Sequence, residues 1–237
     1  MNEKFIVLEE IPKDFYAKKI GDGTSSQCFQ LNDGAVYKEF YSPELYVEII
    51  KRLSMYSSKN ILFPKQIVFL KDSTNENFKG YISDFATGVS LGLIDSDVNI
   101  NYFLEHLELL ERELFYYVRH GIIAKDLHKN NILYDKEKGF IIFDIAMFEQ
   151  TNDDDFGEMY KSVLRDLSNT IVSEIIGNYQ TYFNREDIKE IVLKCIYYYR
   201  LRPSTMIKNI IEIFEREGNE INTLGDFQKA FQIVPKL

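Results

Sequence analysis

Ile123-Ala124-Lys125-Asp126-Leu127-His128-Lys129-Asn130-Asn131-Ile132-Leu133 sets an aspartate five positions ahead of an asparagine, between two apolar runs. A second aspartate, Asp144, closes the next apolar run, Phe140-Ile141-Ile142-Phe143. Short apolar runs bounded by polar turn residues read as buried strands. The stretch is therefore a polar loop leading into a strand, with another strand ending on a carboxylate. A plain turn between strands would also use such residues, but the spacing favours chemistry.

Phosphoryl transfer builds charge on phosphate oxygens, so it needs divalent ions held against them and a hydroxyl oriented in line. Asp126 is placed to take or orient the hydroxyl proton. Asn131 and Asp144 offer oxygen ligands of the hard type that Mg²⁺ prefers.

In these residues the chain resembles the protein-kinase-like superfamily, and the resemblance covers most of its length. The family's catalytic loop runs His-Arg-Asp, with an asparagine five residues after the aspartate, then a strand and Asp-Phe-Gly. Here the corresponding residues are Ala124-Lys125-Asp126, Asn131 and Asp144-Ile145-Ala146. His128 stands where typical protein kinases carry lysine, and a histidine there looks like the aminoglycoside and choline phosphotransferase branch; it could equally pack or hydrogen-bond within the loop. The resemblance implies an α+β, bilobal protein-kinase-like fold. Residues 1–86 would form an N-lobe, a small antiparallel β-sheet with one helix that clamps the nucleotide. Residues 87–237 would form a compact, mainly helical C-lobe with the catalytic loop and metal site.

Upstream, residues 15–40 alternate short apolar and polar positions around two turn signals, which predicts a hairpin or meander. The first turn is Ile20-Gly21-Asp22-Gly23-Thr24-Ser25-Ser26. Glycine lets backbone N–H groups approach phosphate oxygens without a Cβ in the way, and the resemblance implies a phosphate-covering loop in which Ser26 replaces the last glycine. After the Asn32-Asp33-Gly34 turn, the strand at 35–40 puts Val36, Lys38 and Phe40 on one face. A lysine between apolar neighbours on an inward face needs a partner for its charge. The resemblance makes Lys38 the lysine that contacts nucleotide phosphates, paired with a glutamate of the helix predicted at 43–55. Glu48 fits that role best, Glu44 stands one turn earlier, and Leu45, Ile49 and Leu53 form the apolar stripe.

The apolar runs at 66–70 and 80–85 predict the last strands of the small lobe. By resemblance, Ser83 is the gatekeeper and Asp84, Phe85 and Ala86 form the hinge that receives adenine. Ile20, Cys28 and Val36 would cover adenine from above and Leu133 from beneath. Each of these apolar residues is equally well explained as ordinary core.

Further on, Phe103, Leu107, Leu110, Leu114 and Tyr117 recur at the three-and-four spacing of a buried helix stripe within 102–118. A helical pattern resumes near Met159, and Asp166 resembles the family's buried helix aspartate that holds the catalytic loop's backbone; a surface aspartate is the competing reading. Amphipathic helices follow at 186–200 and 205–217, and the cluster Tyr197-Tyr198-Tyr199 reads as packing. Only 22 positions separate Asp144 from Asp166, no Ala-Pro-Glu lies between them, and Lys125 replaces the arginine that reads a phosphorylated activation loop. Switching by activation-loop phosphorylation is not expected.

The 237-residue chain carries a net charge of −9. That balance disfavours nonspecific binding to nucleic acid or anionic lipid. Lys125, His128 and Lys129 nevertheless concentrate positive charge in the loop, while Asp153-Asp154-Asp155 reads as a solvated turn. Cys28 and Cys195 form neither a disulfide framework nor a metal-type pair. No apolar run approaches the roughly 20 residues of a membrane span, and no basic-then-apolar leader opens the chain, so a soluble cytoplasmic protein is expected. The expected activity is kinase chemistry: an ATP- and Mg²⁺-dependent transfer of the γ-phosphate to a hydroxyl, most simply Ser or Thr of a protein or of the chain itself. The alternatives are a small-molecule kinase of aminoglycoside or choline type and a nucleotide-binding pseudokinase or regulatory module. Oligomeric state is not legible.

Overall fold

Alternation and turn chemistry build a six-stranded sheet from the first part of the chain. The computed structural model describes residues 4–72, 75–151, 155–177, 185–198 and 200–231. Strands β1 (Phe5–Leu8), β2 (Lys19–Asp22), β3 (Ser26–Gln30), β4 (Val36–Phe40), β5 (Gln66–Asp72) and β6 (Asn75–Ser83) lie in the order β1-β5-β6-β4-β3-β2. Gly34 turns β3 into β4 at a φ of 87°, a conformation that costs glycine little because it has no Cβ. All neighbours are antiparallel except β1 and β5, whose register runs Phe5 to Ile67 through Leu8 to Leu70 in parallel. The sheet is thus mixed, not the antiparallel sheet expected. The four consecutive apolar residues Phe5-Ile6-Val7-Leu8 add a parallel edge.

The two faces of this sheet carry different side chains. On one, Phe29, Tyr37, Val68 and Ile82 form a buried cluster, covered by Ile6, Leu8, Ile11 and Phe15. Register places Cys28, Lys38 and Tyr81 side by side on the other. Helix α1 (Val47–Leu53) follows a 3₁₀ turn at Pro43–Leu45 and buries Ile50 and Leu53. Of the predicted stripe, Leu53 is buried and Ile49 half-buried, but Leu45 is 73% exposed, because the chain does not become α-helical until Val47.

The chain divides into two compact units, Met1–Ala86 with Phe143–Ala146, and Thr87–Ile142 with Met147–Leu237. The second unit is built around α2 (Ile100–Val118), whose N-cap Asn99 accepts hydrogen bonds from the N–H groups of Asn101 and Tyr102. Such a side chain satisfies amides that the first turn leaves unpaired. Phe103, Leu107, Leu110, Leu114 and Tyr117 are all buried, as the spacing predicts. Short strands β7 (Val89–Ser90), β8 (Ile122–Ile123), β9 (Ile132–Asp135), β10 (Gly139–Ile142) and β11 (Glu149–Gln150) form a three-stranded sheet, β10-β9-β7, and a β11-β8 pair.

Helices α3 (Phe156–Ile171), α4 (Glu186–Ile196), α5 (Pro203–Arg216) and α6 (Leu224–Ala230) complete the unit, and the architecture as a whole is α+β. Glu111 of α2 is fully buried and accepts from both the N–H and the hydroxyl of Ser204 at the start of α5, at 2.8 and 2.6 Å. Burial raises its pKa, against the lowering effect of those two bonds. No helix among the described residues is long and apolar enough to cross a membrane. Tyr199 and two of the three residues read as an acidic turn, Asp153 and Asp154, lie outside the described residues; Asp155 caps α3, accepting from the Glu158 N–H.

Candidate functional site

The chemistry-bearing residues fall into two clusters, one in each unit. In the first, Lys38 projects from β4 and is only 5% exposed. Its ammonium donates to Asp144 Oδ1 at 2.6 Å. The same oxygen accepts from the Ala146 N–H at 3.1 Å, a local turn of the kind aspartate favours. Both of these bonds fall on Oδ1 of the carboxylate. The Phe40 ring centroid lies 5.7 Å from the ammonium. Cys28 stands beside this pair: burial pushes its thiol pKa up, the Lys38 charge opposes that, and the Asp144 charge adds to it. Burial also raises the Tyr81 hydroxyl well above its ordinary value, with the Asp144 charge as a smaller cause.

The expected Lys38–Glu48 pair is not formed. Glu48 is 87% exposed and lies 3.6 Å from Lys51, one turn along its own helix, and Glu44 is exposed as well. The buried face of α1 is the one carrying Ile50 and Leu53, which turns position 48 to solvent. Asp144 takes the place assigned to the glutamate.

The remaining positions of the first unit are distributed as follows. Gly21 lies in β2 opposite Cys28, and Gly23 begins the turn into β3, donating its N–H to the Ser26 carbonyl at 2.9 Å. Neither glycine has a positive φ, and a Cβ at either would make an ordinary contact at 3.6 Å. Ser26 is the first residue of β3 and buried, not an open loop position. Ile20 is exposed and Val36 half-buried. Ser83 is buried and bonds the Asp84 carbonyl through its hydroxyl at 3.3 Å. Asp84 pairs with Lys65, Phe85 is exposed, and Ala86 is half-buried.

In the second unit, Asp126 is the one non-glycine residue with a positive φ among those described, at 63°. Left-handed backbone costs an L-residue on the order of 1 kcal/mol and persists only where the surroundings impose it. Here they do. The Asp126 carbonyl accepts from the His128 N–H at 2.9 Å and from Asn131 Nδ2 at 3.0 Å. The same Nδ2 donates to Asp126 Oδ2 at 3.0 Å, so both amide hydrogens of Asn131 are spent on Asp126. Asn131 N–H closes the loop by donating to the His128 carbonyl at 2.9 Å.

The loop is anchored from outside by α3. Thr170 donates its hydroxyl to the Leu127 carbonyl, while Asp166, expected to do that work, contacts its neighbour Arg165 at 3.4 Å. Residues four apart share a helix face, so the expected face is correct and the anchoring residue lies one turn further on. The anticipated concentration of positive charge is largely neutralised. Lys125 donates to Ser162 at 2.9 Å and lies 3.9 Å from Glu149, and Lys129 lies 3.5 Å from Glu174. Leu133 is half-buried in β9, opposite Ile141 and Ser90. Neither Thr170 nor the direct Lys38–Asp144 pair was anticipated. Thr170 had a signal in its spacing from Asp166, whereas the pair, 106 positions apart, had none.

No group of three or more His, Cys, Asp or Glu side chains that could hold a metal occurs among the described residues. Comparison with known protein families found no match, and comparison with curated proteins found none either.

Proposed function

We propose that the chain is an ATP-dependent phosphotransferase of the protein-kinase-like kind, acting on a hydroxyl. The observation that carries the reading is the left-handed backbone at Asp126. Tied through its carbonyl and Oδ2 to one asparagine, that aspartate has its carboxylate aimed in a fixed direction. Asp126 orients the acceptor hydroxyl and draws off its proton, and Lys38 offers its ammonium to phosphate oxygens. Asp144 in the first unit and Asn131 in the second are each of the oxygen-ligand type that Mg²⁺ takes, and that ion, when bound, neutralises charge on the phosphates. Gly21 and Gly23 add support, since neither φ nor space demands glycine there and the bare backbone can approach a phosphate.

Two acceptor classes remain in play, Ser or Thr of a protein and a small-molecule alcohol. The second is favoured by the short path after Asp144: β11 returns to pair with β8 at Glu149, and α3 begins at Phe156. Little chain is left there for docking a peptide. The test is incubation with ATP and Mg²⁺, alone and with protein and alcohol acceptors, followed by intact mass of the protein and phosphate counting on the acceptor. A gain of about 80 Da on the protein, or labelled acceptor, is expected from the wild type and is lost in Asp126→Ala and in Asp144→Asn while circular dichroism is retained. Unchanged turnover in both variants removes the proposal, and an AMP-sized gain redirects it to nucleotidyl transfer.

A further inference from the structure

His128 makes more of the loop than its place in the turn requires. Its Nδ1 lies 3.1 Å from the Asn130 backbone N–H, which points its hydrogen at the ring. A backbone amide can only donate, so Nδ1 must be the unprotonated nitrogen. The ring proton then sits on Nε2, which lies 3.3 Å from Asp126 Oδ1. A third contact, 3.2 Å between Nε2 and Asn131 Nδ2, brings two nitrogens together; with both amide hydrogens on Asp126 oxygens it is a close approach and not a hydrogen bond. Asp126 Oδ2 accepts from Asn131, and His128 Nε2 stands 3.3 Å from Oδ1.

We propose that His128 is a positioning residue for Asp126: the Asn130 amide selects its Nε2–H tautomer, and that N–H faces Oδ1 and restrains the carboxylate rotamer beside Asn131. The inference rests on the phosphotransferase reading for its consequence, but the tautomer itself does not depend on turnover. With one donor only, the carboxylate would be free to rotate about its last bond. The second donor removes that freedom before the acceptor arrives, as outer partners do for catalytic and metal-binding groups generally. His128 itself needs no contact with the acceptor or the nucleotide for this.

Two measurements decide it. Long-range proton–nitrogen NMR correlations of the histidine side chains, recorded above the range in which imidazole is charged, assign His128 by its disappearance in His128→Gln. Nδ1 without a proton and Nε2 with one is the expected result, and the opposite tautomer overturns the proposal whether or not the protein turns over. In steady-state kinetics, His128→Ala lowers kcat by about 10- to 100-fold with the nucleotide KM changed less than about threefold. His128→Gln, whose amide can donate from a similar reach, regains most of that loss. Wild-type kcat in His128→Ala, or no recovery in His128→Gln while Asp126→Ala remains inactive, overturns the positioning role. Absence of turnover in the wild type instead counts against the phosphotransferase reading and leaves the NMR result to judge the tautomer.

Discussion

The Lys38–Asp144 pair should respond asymmetrically to loss of its members. The Lys38 side chain is 6% exposed and that of Asp144 is 31% exposed. Asp144→Ala strands an ammonium where water scarcely reaches, so Lys38 must give up its proton or drag its chain toward solvent. Removing one member of a buried pair costs about 3 kcal/mol or more. Lys38→Met leaves Asp144 with the Ala146 N–H and with water on its exposed third, and methionine fills the space beside Phe40. Partial exposure discounts that loss to about 1 kcal/mol. The difference of about 2 kcal/mol corresponds to a Tm gap of roughly 4–8 °C for a protein of this size, with Asp144→Ala the lower. Calorimetry in metal-free buffer measures it, and Asp144→Asn, which keeps an acceptor for Lys38, should fall between the two. Equal losses, or a larger one for Lys38→Met, would show that the ammonium is not confined as described and would remove the reason for reading Lys38 as a poised phosphate ligand.

Gly80→Ala should be among the most damaging single changes in the first unit, because its Cβ would lie 1.9 Å from the Lys38 carbonyl oxygen. The contact is backbone to backbone, so no rotamer relieves it, and the cost should reach about 3 kcal/mol; Gly21→Ala, with 3.6 Å of clearance, should melt within a degree or two of wild type, and similar Tm values for the two variants would refute the account. Glu111 has its pKa raised in the fold, chiefly by burial, so its stabilising contribution is complete below the unfolded pKa and is lost as pH rises through the folded one. The stability advantage of wild type over Glu111→Gln should therefore be larger at about pH 4 than at about pH 7, and an advantage that grows with pH contradicts the assignment. Thr170→Val removes the donor to the Leu127 carbonyl and should cost about 1–2 kcal/mol and lower turnover, while Asp166→Ala changes both little; the reverse ranking would restore the aspartate as the anchor.

Legibility of this chain follows from how far each feature depends on neighbours in sequence. The α2 stripe was readable because five apolar residues at helical spacing leave one face to bury, and the Asn32-Asp33-Gly34 turn because only its own φ angles matter. The α1 stripe is legible at its far end, where Leu53 is buried and Ile49 half-buried, but not at its start. Pro43 opens a 3₁₀ turn, which advances the chain by a different angle per residue than an α-helix, and Leu45 lies in that turn, exposed. Glu48, away from the face of Ile50 and Leu53, meets solvent. Strand β1 was overlooked despite four consecutive apolar residues, because a parallel partner gives no turn signal nearby.

The candidate site divides along the same line. Asp126, Asn131 and His128 lie within six positions, and their hydrogen bonds are the loop's own, so spacing could announce them. The partner of Lys38 depends on a segment 106 positions away, which no spacing within β4 or α1 could announce. Asp144 does what the glutamate was expected to do, neutralising a buried lysine, and is also the carboxylate proposed to hold the metal ion. The lysine and the proposed metal ligand are thus one ion pair. On the phosphotransferase reading, a cation held by the other oxygen of Asp144 would weaken the pull of that carboxylate on Lys38 and leave the ammonium to an incoming phosphate. Nucleotide affinity should then rise with Mg²⁺ more steeply in wild type than in Lys38→Met, a coupling that isothermal titration across Mg²⁺ concentrations measures and that independent sites would lack.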